Sequence, residues 1–256
     1  MNDFKNEIKE RVSKIAKNDI FSNAARDFMH ASIIPKYSYN FSWQGRPIIQ
    51  YPQDIVAMQE IIWEVKPDLI IETGIAHGGS LIFSASILAM LDIEDAIKSN
   101  KVINPKESNR MVLGIDIDIR KHNREAIESH PMSSRINMIE GSSLDKNVIE
   151  QVGSIAKKYN KILVCLDSNH THDHVLSELE AYASLTSVGS YCVVFDTLIE
   201  DMQDNSYPDR DWGIGNNPKT AVWAYLKNHN EFEIDKSIHQ KLMVTVAPDG
   251  YLKRTS

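Results

Sequence analysis

Cysteine is nearly absent from this chain: Cys165 and Cys192 are the only two in 256 residues. Two thiols in a chain of this length are not a disulfide framework. Both fall inside apolar runs, KILVCL and SYCVVF, and read as small core residues of a protein of the reducing cytoplasm. Strongly basic tracts are missing too, and the net charge is −7, which argues against duplex nucleic acid as a partner. No apolar run approaches the roughly 18 residues of a transmembrane helix. The opening stretch MNDFKNEIKERVSKIAKND is charged throughout and reads as a helix rather than a signal peptide. Gly-x-Gly-x-x-Gly and Gly-Lys-Ser/Thr are both absent, so neither the usual dinucleotide fingerprint nor a phosphate loop is present. Internal repeats and low-complexity segments are lacking. What remains, 42% hydrophobic and 25% charged residues, suits one globular domain with an elaboration.

The hydrophobic pattern supplies an α/β alternation. Apolar positions Phe4, Ile8, Val12, Ile15 and Ile20 predict an amphipathic helix within residues 1–30. Residues 31–54, rich in aromatics and prolines, read as irregular, packed over a pocket or anchored in the core. A helix is expected over 54–66, with Asp54 favouring its dipole and Pro67 ending it. Strand–helix pairs then follow: 69–72 with 79–91, 111–116 with 121–129, 135–139 with 144–158, 161–166 with 173–186, and 190–195 with 218–228. Two last strands, near 231–235 and 240–246, are expected to pair antiparallel. Apolar strands alternating with helices predict a mostly parallel sheet covered on both faces.

Ligands in such sheets bind at the carboxyl ends of the strands. The first of those ends carries DLIIETGIAHGGS, residues 68–80: a buried strand, a tight turn and a helix start with free N–H donors. Its acid and Gly-x-x-x-Gly spacing suit a nucleoside cofactor without a pyrophosphate, such as S-adenosylmethionine (SAM). Asp116 ends the second strand, where a carboxylate can accept from a ribose diol; Asp118 reads as a helix cap. Gly141, Ser142 and Ser143 follow the third strand, beside an adenine edge, with Ser143 equally suited to cap the next helix. Asp167 and Asp196 end the fourth and fifth strands and face one crevice. Two bare carboxylates there need either a proton or a cation between them, and hard oxygen ligands favour Mg²⁺. His170, His172 and His174 follow Asp167. A three-histidine metal site is disfavoured by the turn, and His170 is the first choice for a general base. His77 touches the cofactor or a neighbouring backbone. The loop 197–217, with Tyr207, Asp209, Arg210 and Trp212, is assigned to acceptor binding and lid closure.

The segments KYSYNFSWQGRPIIQYPQD, IWEVKPDLIIETGIAHGGS, LDSNHTHDHVLSELEAY, GSYCVVFDT and APDGYLKR together resemble the cephalosporin hydroxylase family, over roughly residues 30–254. The resemblance implies a Rossmann-like class I SAM-dependent methyltransferase fold: a central seven-stranded, mostly parallel sheet, helices on both faces, and an N-terminal helical extension. It divides the chain into an extension, 1–50, and a methyltransferase domain, 51–256. It also implies a homo-oligomer and an O-methyltransferase. The acceptor would be a hydroxyl of a sugar, a polysaccharide or lipopolysaccharide precursor, or a small polar metabolite. More distantly the chain is similar to metal-dependent catechol-type O-methyltransferases. Carried over, this implies Glu72, Gly74 and Ser80 at the amino-acid end of SAM, with Gln50, His77, Gly78 and Asp167 completing the cofactor set. Asp116 would hold the ribose, and Ser142 and Ser143 the adenine. Asp167, Asp196 and Thr197 would hold Mg²⁺, and His170 with Asp167 would be catalytic. Two departures stand out: Thr197 replaces the Asn of the catechol enzymes, and Phe195 replaces a further acid of the cephalosporin enzyme. The alternatives are a hydroxylase-like oxidoreductase, which would need a 2-His-1-carboxylate iron site within 167–174, or a non-catalytic SAM-binding partner subunit.

Overall fold

The structure, a computed structural model, describes residues 2–203, 206 and 208–256. Two helices come first, α1 (Asn2–Ile15) and α2 (Asp19–Ile33), where the periodicity predicted one. The break is at Asn18, whose side chain caps α2 by accepting from Phe21 N at 3.1 Å. A 3₁₀ turn, Tyr37–Asn40, leads into a hairpin of β1 (Phe41–Trp43) and β2 (Arg46–Ile48). This segment was expected to be irregular. Gln44 and Gly45, both at positive φ, form the two-residue turn that matches the twist of a hairpin.

Helix α3 (Pro52–Val65) starts on proline, and then the sheet begins. Its strands are β3 (Leu69–Thr73), β4 (Met111–Asp116), β5 (Ile136–Glu140), β6 (Ile162–Leu166), β7 (Tyr191–Val194), β8 (Phe232–Ile234) and β9 (Tyr251–Arg254). The helices are α4 (Gly79–Ser99), α5 (Lys121–Glu128), α6 (Lys146–Ala156), α7 (His172–Tyr182), α8 (Pro218–Tyr225) and α9 (Lys236–Leu242). The spatial order is β5-β4-β3-β6-β7-β9-β8, with β5 to β7 parallel and β9 antiparallel to both its neighbours. This is the seven-stranded, mostly parallel class I methyltransferase sheet.

Every residue of β3 and β6 is buried, which is why these strands read as continuous apolar runs rather than alternating ones. Alternation reappears in what they touch. Ile70 packs with Ile62, Leu81 and Leu88 of α3 and α4. Leu69 and Ile71 pack with Val152 and Leu179 of α6 and α7. Each such fully buried side chain contributes about 1.5–3 kcal/mol. The chain builds outward from β3 through β4 to β5, then returns to lay β6 on the other side of β3. That reversal opens a crevice above the carboxyl ends of β3 and β6.

The strand expected at 240–246 does not form. Asp235 caps α9 by accepting from Ser237 N, and the segment after α9 is captured by Asp54. The Asp54 carboxylate accepts from the Thr245 hydroxyl, from Val246 N at 3.0 Å and from the Tyr251 hydroxyl at 2.8 Å. Val246 O accepts from Leu198 N. With those groups spent, the run cannot join the sheet, and β9 takes the place beside β7. Asp54 is thus a fully buried lock rather than a helix-dipole residue. Burial raises its pKa to about 6, against the pull of its three donors.

Candidate active site

Glu72, near the end of β3, is 5% exposed and accepts the hydroxyl of Ser80 from the first turn of α4. Burial lifts its pKa to about 7, and the Ser80 bond only partly opposes this. Between them runs the turn Gly74–Gly78. Gly74, Ala76 and Gly78 all have positive φ. The Asp116 carboxylate pins the turn, accepting from Ile75 N at 2.8 Å and Ala76 N at 3.2 Å, while its second oxygen accepts from Asp118 N at 3.1 Å. From the other side, Asn123 donates to Ala76 O at 2.9 Å, and Arg46 donates to His77 O and to Asn123 Oδ1.

The glycines were expected to let the turn approach a ligand. What they allow is close approach of protein to protein. A Cβ on Gly74 would lie 2.1 Å from the Asp167 carbonyl oxygen, one on Gly78 would lie 2.3 Å from Ile127 Cδ1, and one on Gly79 would lie 2.1 Å from the Pro47 carbonyl oxygen. The hairpin therefore sits directly on the start of α4. Arg46→Ala is expected to loosen the turn and lower the melting temperature by a few degrees, since a charge-assisted bond of roughly 1.5–3 kcal/mol holding it is lost; thermal melts check it.

That cluster lies at the ends of β6 and β7. One ligand atom each from Asp167, His170 and Asp196 lies within 4.8 Å of the others, and His170 Nδ1 is 3.0 Å from Asp196 Oδ2. Asp196 holds a left-handed backbone, φ 55°, an unusual conformation for a residue with a side chain. Burial and then the charges of Asp196, Glu72 and Glu178 push the Asp167 pKa well above the usual carboxylate range. For His170, burial pulls downward, but the Asp196 charge and hydrogen bond win and its pKa is raised; Arg210 opposes them. The Trp212 ring leans on His170, centroids 5.2 Å apart, and the Arg210 guanidinium lies 5.7 Å from the Trp212 ring centroid.

Thr197 is fully buried and its hydroxyl donates to Pro248 O at 2.6 Å, while His170 is the third member of the cluster with Asp167 and Asp196. His172 and His174 also point elsewhere: His172 Nδ1 meets Thr220 at 2.8 Å, and His174 Nε2 lies near Ser168 and Ser143. A 2-His-1-carboxylate set is therefore not assembled among the described residues.

A cavity of about 590 Å³ joins the two regions, within the usual range for small-molecule sites. Gly74, His77, Ser80, Asp116, Asp167, His170 and Asp196 line it. So does Gln50, which is 9% exposed and whose Oε1 is buried with no hydrogen-bond partner among the described residues. Glu72, Gly78, Ser142 and Ser143 are not among its lining residues: Glu72 lies behind Ser80, the Ser142 hydroxyl accepts from Leu144 N, and the Ser143 carbonyl accepts the Tyr182 hydroxyl. The cap of α6 is Asp145 rather than Ser143. Tyr207 lies outside the described residues, whereas Asp209, Arg210 and Trp212 line the cavity as the loop reading expected. Sequence reasoning missed Arg46 and Asn123, and the only signal was one arginine directly after the hairpin glycine.

A family model described as "Rhamnosyl O-methyltransferase/CmcI" matches residues 35–255. A rhamnosyl O-methyltransferase of Mycobacterium bovis is 30% identical over 203 residues, covering 78% of this chain and 73% of that protein. The Mycobacterium leprae protein of the same name is 29% identical over 215 residues, covering 83% and 82%. Among solved structures, an apo form of CmcI superposes with TM-score 0.56 at 18% identity, covering 85% of this chain and 77% of its own. A Mg–SAM form of CmcI gives TM-score 0.54 at 17% identity, covering 85% and 78%.

Proposed function

The chain belongs to the rhamnosyl O-methyltransferase/CmcI family, and we propose that it transfers the methyl group of SAM to a sugar hydroxyl, assisted by a divalent cation. The observation that carries this reading is a single cavity lined by both the pinned glycine turn and the cluster of Asp167, His170 and Asp196. Both groups suit the residues present. Gln50 Oε1 is a buried acceptor that a ligand donor would satisfy. Glu72 is a buried acid that backs the cavity through Ser80, so its charge favours an ammonium at that wall. Asp167 and Asp196 offer the hard carboxylate oxygens that Mg²⁺ or Mn²⁺ prefers, with the His170 imidazole beside them free to act as a base.

When bound, such a cation polarises the acceptor hydroxyl and lowers its pKa. The remaining work falls to the chain. Asp167 and Asp196 hold the cation. Asp196 also accepts the His170 Nδ1–H, which fixes the tautomer and leaves Nε2 as the nitrogen that takes the hydroxyl proton. The turn would hold SAM so that its methyl group faces that hydroxyl, and positioning by the chain's own residues would supply much of the acceleration. Trp212 and Ile199 shield the site from water. In this reading residues 1–50 close the cofactor wall and 51–256 carry the chemistry. No helix among the described residues is long and apolar enough to cross a membrane. We place the protein in the cytoplasm, as a homo-oligomer built through α1 and α2, where Phe4, Ile20 and Phe21 are exposed.

Calorimetry is expected to give micromolar SAM binding; NAD binding in its place would overturn the reading. Affinity should also rise with pH. Glu72, behind Ser80, is largely protonated below about 7, and its ionised form favours an ammonium at that wall, so binding releases a proton and tightens between pH 6 and 7.5. That window lies below the range in which α-amino groups lose their own proton. Glu72→Gln should flatten the dependence.

A further inference from the structure

The cavity wall carries charge of both signs. Asp167 and Asp196 lie on it, with His170 against them. Arg210 lies next along the wall, over Trp212, which itself leans on His170. Arg210 differs from the other arginines. Arg11, Arg110, Arg120, Arg124 and Arg135 meet carboxylates, and Arg26, Arg46 and Arg254 meet amide or carbonyl oxygens. Arg210 meets no such oxygen among the described residues, although Asp209 precedes it and the chain as a whole is acidic. Its contact is the indole face. A cation–π contact there attracts the guanidinium while leaving its forked donors for something else. Lys36 lines the same cavity, its ammonium 5.8 Å from the Tyr39 ring centroid, and it too has no carboxylate partner among the described residues.

We propose that the acceptor carries an anionic oxygen group, phosphate or carboxylate, which Arg210 grips as a fork with Lys36 adding charge. This rests on the methyl-transfer reading of the site and names the class of sugar it takes: a sugar phosphate or nucleotide-linked sugar, or a uronic acid, rather than a neutral glycoside. The anionic group fixes which way round the sugar enters. Its negative end goes to Arg210, and the neighbouring hydroxyl goes to Asp167, Asp196 and His170. A fork on an oxyanion is the strong kind of hydrogen bond, and Arg210 becomes the residue that sets specificity.

The test is calorimetry on the full chain saturated with S-adenosylhomocysteine, with EDTA present so that no metal recruits the anion. Inorganic pyrophosphate, glucuronate and glucose are titrated in turn. Pyrophosphate or glucuronate should bind at least about 10-fold more tightly than glucose, and which of the two wins tells phosphate from carboxylate. Arg210→Ala should abolish that preference, Arg210→Lys should restore part of it, and Lys36→Ala should weaken it several-fold. S-adenosylhomocysteine affinity and melting temperature should not move in any of them. Equal binding of glucose and both anions, or an anion preference that survives Arg210→Ala, overturns the proposal. Absence of S-adenosylhomocysteine binding would instead overturn the methyl-transfer reading, and the anion titration on the unliganded chain would still read Arg210.

Discussion

Asp167→Ala is expected to lower methyl transfer by about 10²–10³-fold while cofactor binding survives. Loss of one preorganised electrostatic group at a reacting centre typically costs 10²–10³ in rate, and Asp167 is one of only two carboxylates in the cluster. The cost should fall on catalysis and not on folding. The carboxyl group of Asp167 is disfavoured as an anion by burial and by Asp196, Glu72 and Glu178. Removing it relieves repulsion in the metal-free protein, so the variant should melt no lower than the parent in EDTA. Rate assays with and without Mg²⁺, beside calorimetry with S-adenosylhomocysteine, separate the two effects. Full activity of the parent in EDTA would remove the cation from the mechanism.

Gly74→Ala should be the most damaging glycine substitution in the site. The backbone there has φ 89°, a region that costs an L-residue roughly 1–2 kcal/mol. The added Cβ would also lie 2.1 Å from the Asp167 carbonyl oxygen. That neighbour is main chain, so no rotamer change relieves the clash; the turn or the end of β6 must move. Both halves of the cavity hang on that contact. We expect loss of measurable S-adenosylhomocysteine binding and a fall of several degrees in melting temperature. Gly78→Ala should be milder, because its obstacle is the flexible end of Ile127. Gly153→Ala, in α6 with nothing within 4 Å of the new methyl group, should gain up to about 1 kcal/mol from helix propensity. Thermal melts of the three variants give the ranking.

The sheet was legible because parallel strands buried on both faces leave an unbroken apolar run, and KILVCL or SYCVVF admits little else. The turn after β3 and the acids after β6 and β7 were legible because strand ends are where such folds bind ligands. The hairpin was hidden by its brevity and by Pro47, and the fate of 242–246 by its resemblance to a strand. That segment's partner is a buried carboxylate far back in the chain, which no local pattern marks. For the same reason Arg46 and Asn123 escaped notice: they meet across 77 residues, and only the folded turn gives them a common object. The bond from the Thr197 hydroxyl to Pro248 O was hidden too, because residue type alone does not tell which way a hydroxyl turns.

The Asp54 lock also bears on how the chain is born. Its donors lie 191, 192 and 197 residues downstream. At synthesis rates of about 5–20 residues per second, roughly 10–40 s separate the emergence of the acid from that of its last partner. During that interval α3 carries an unmet carboxylate toward what will be core, while β3, β4 and then β6 emerge in turn and become available to pair. The nascent protein can therefore assemble the cofactor half of its sheet early, but it closes only when Tyr251 leaves the ribosome.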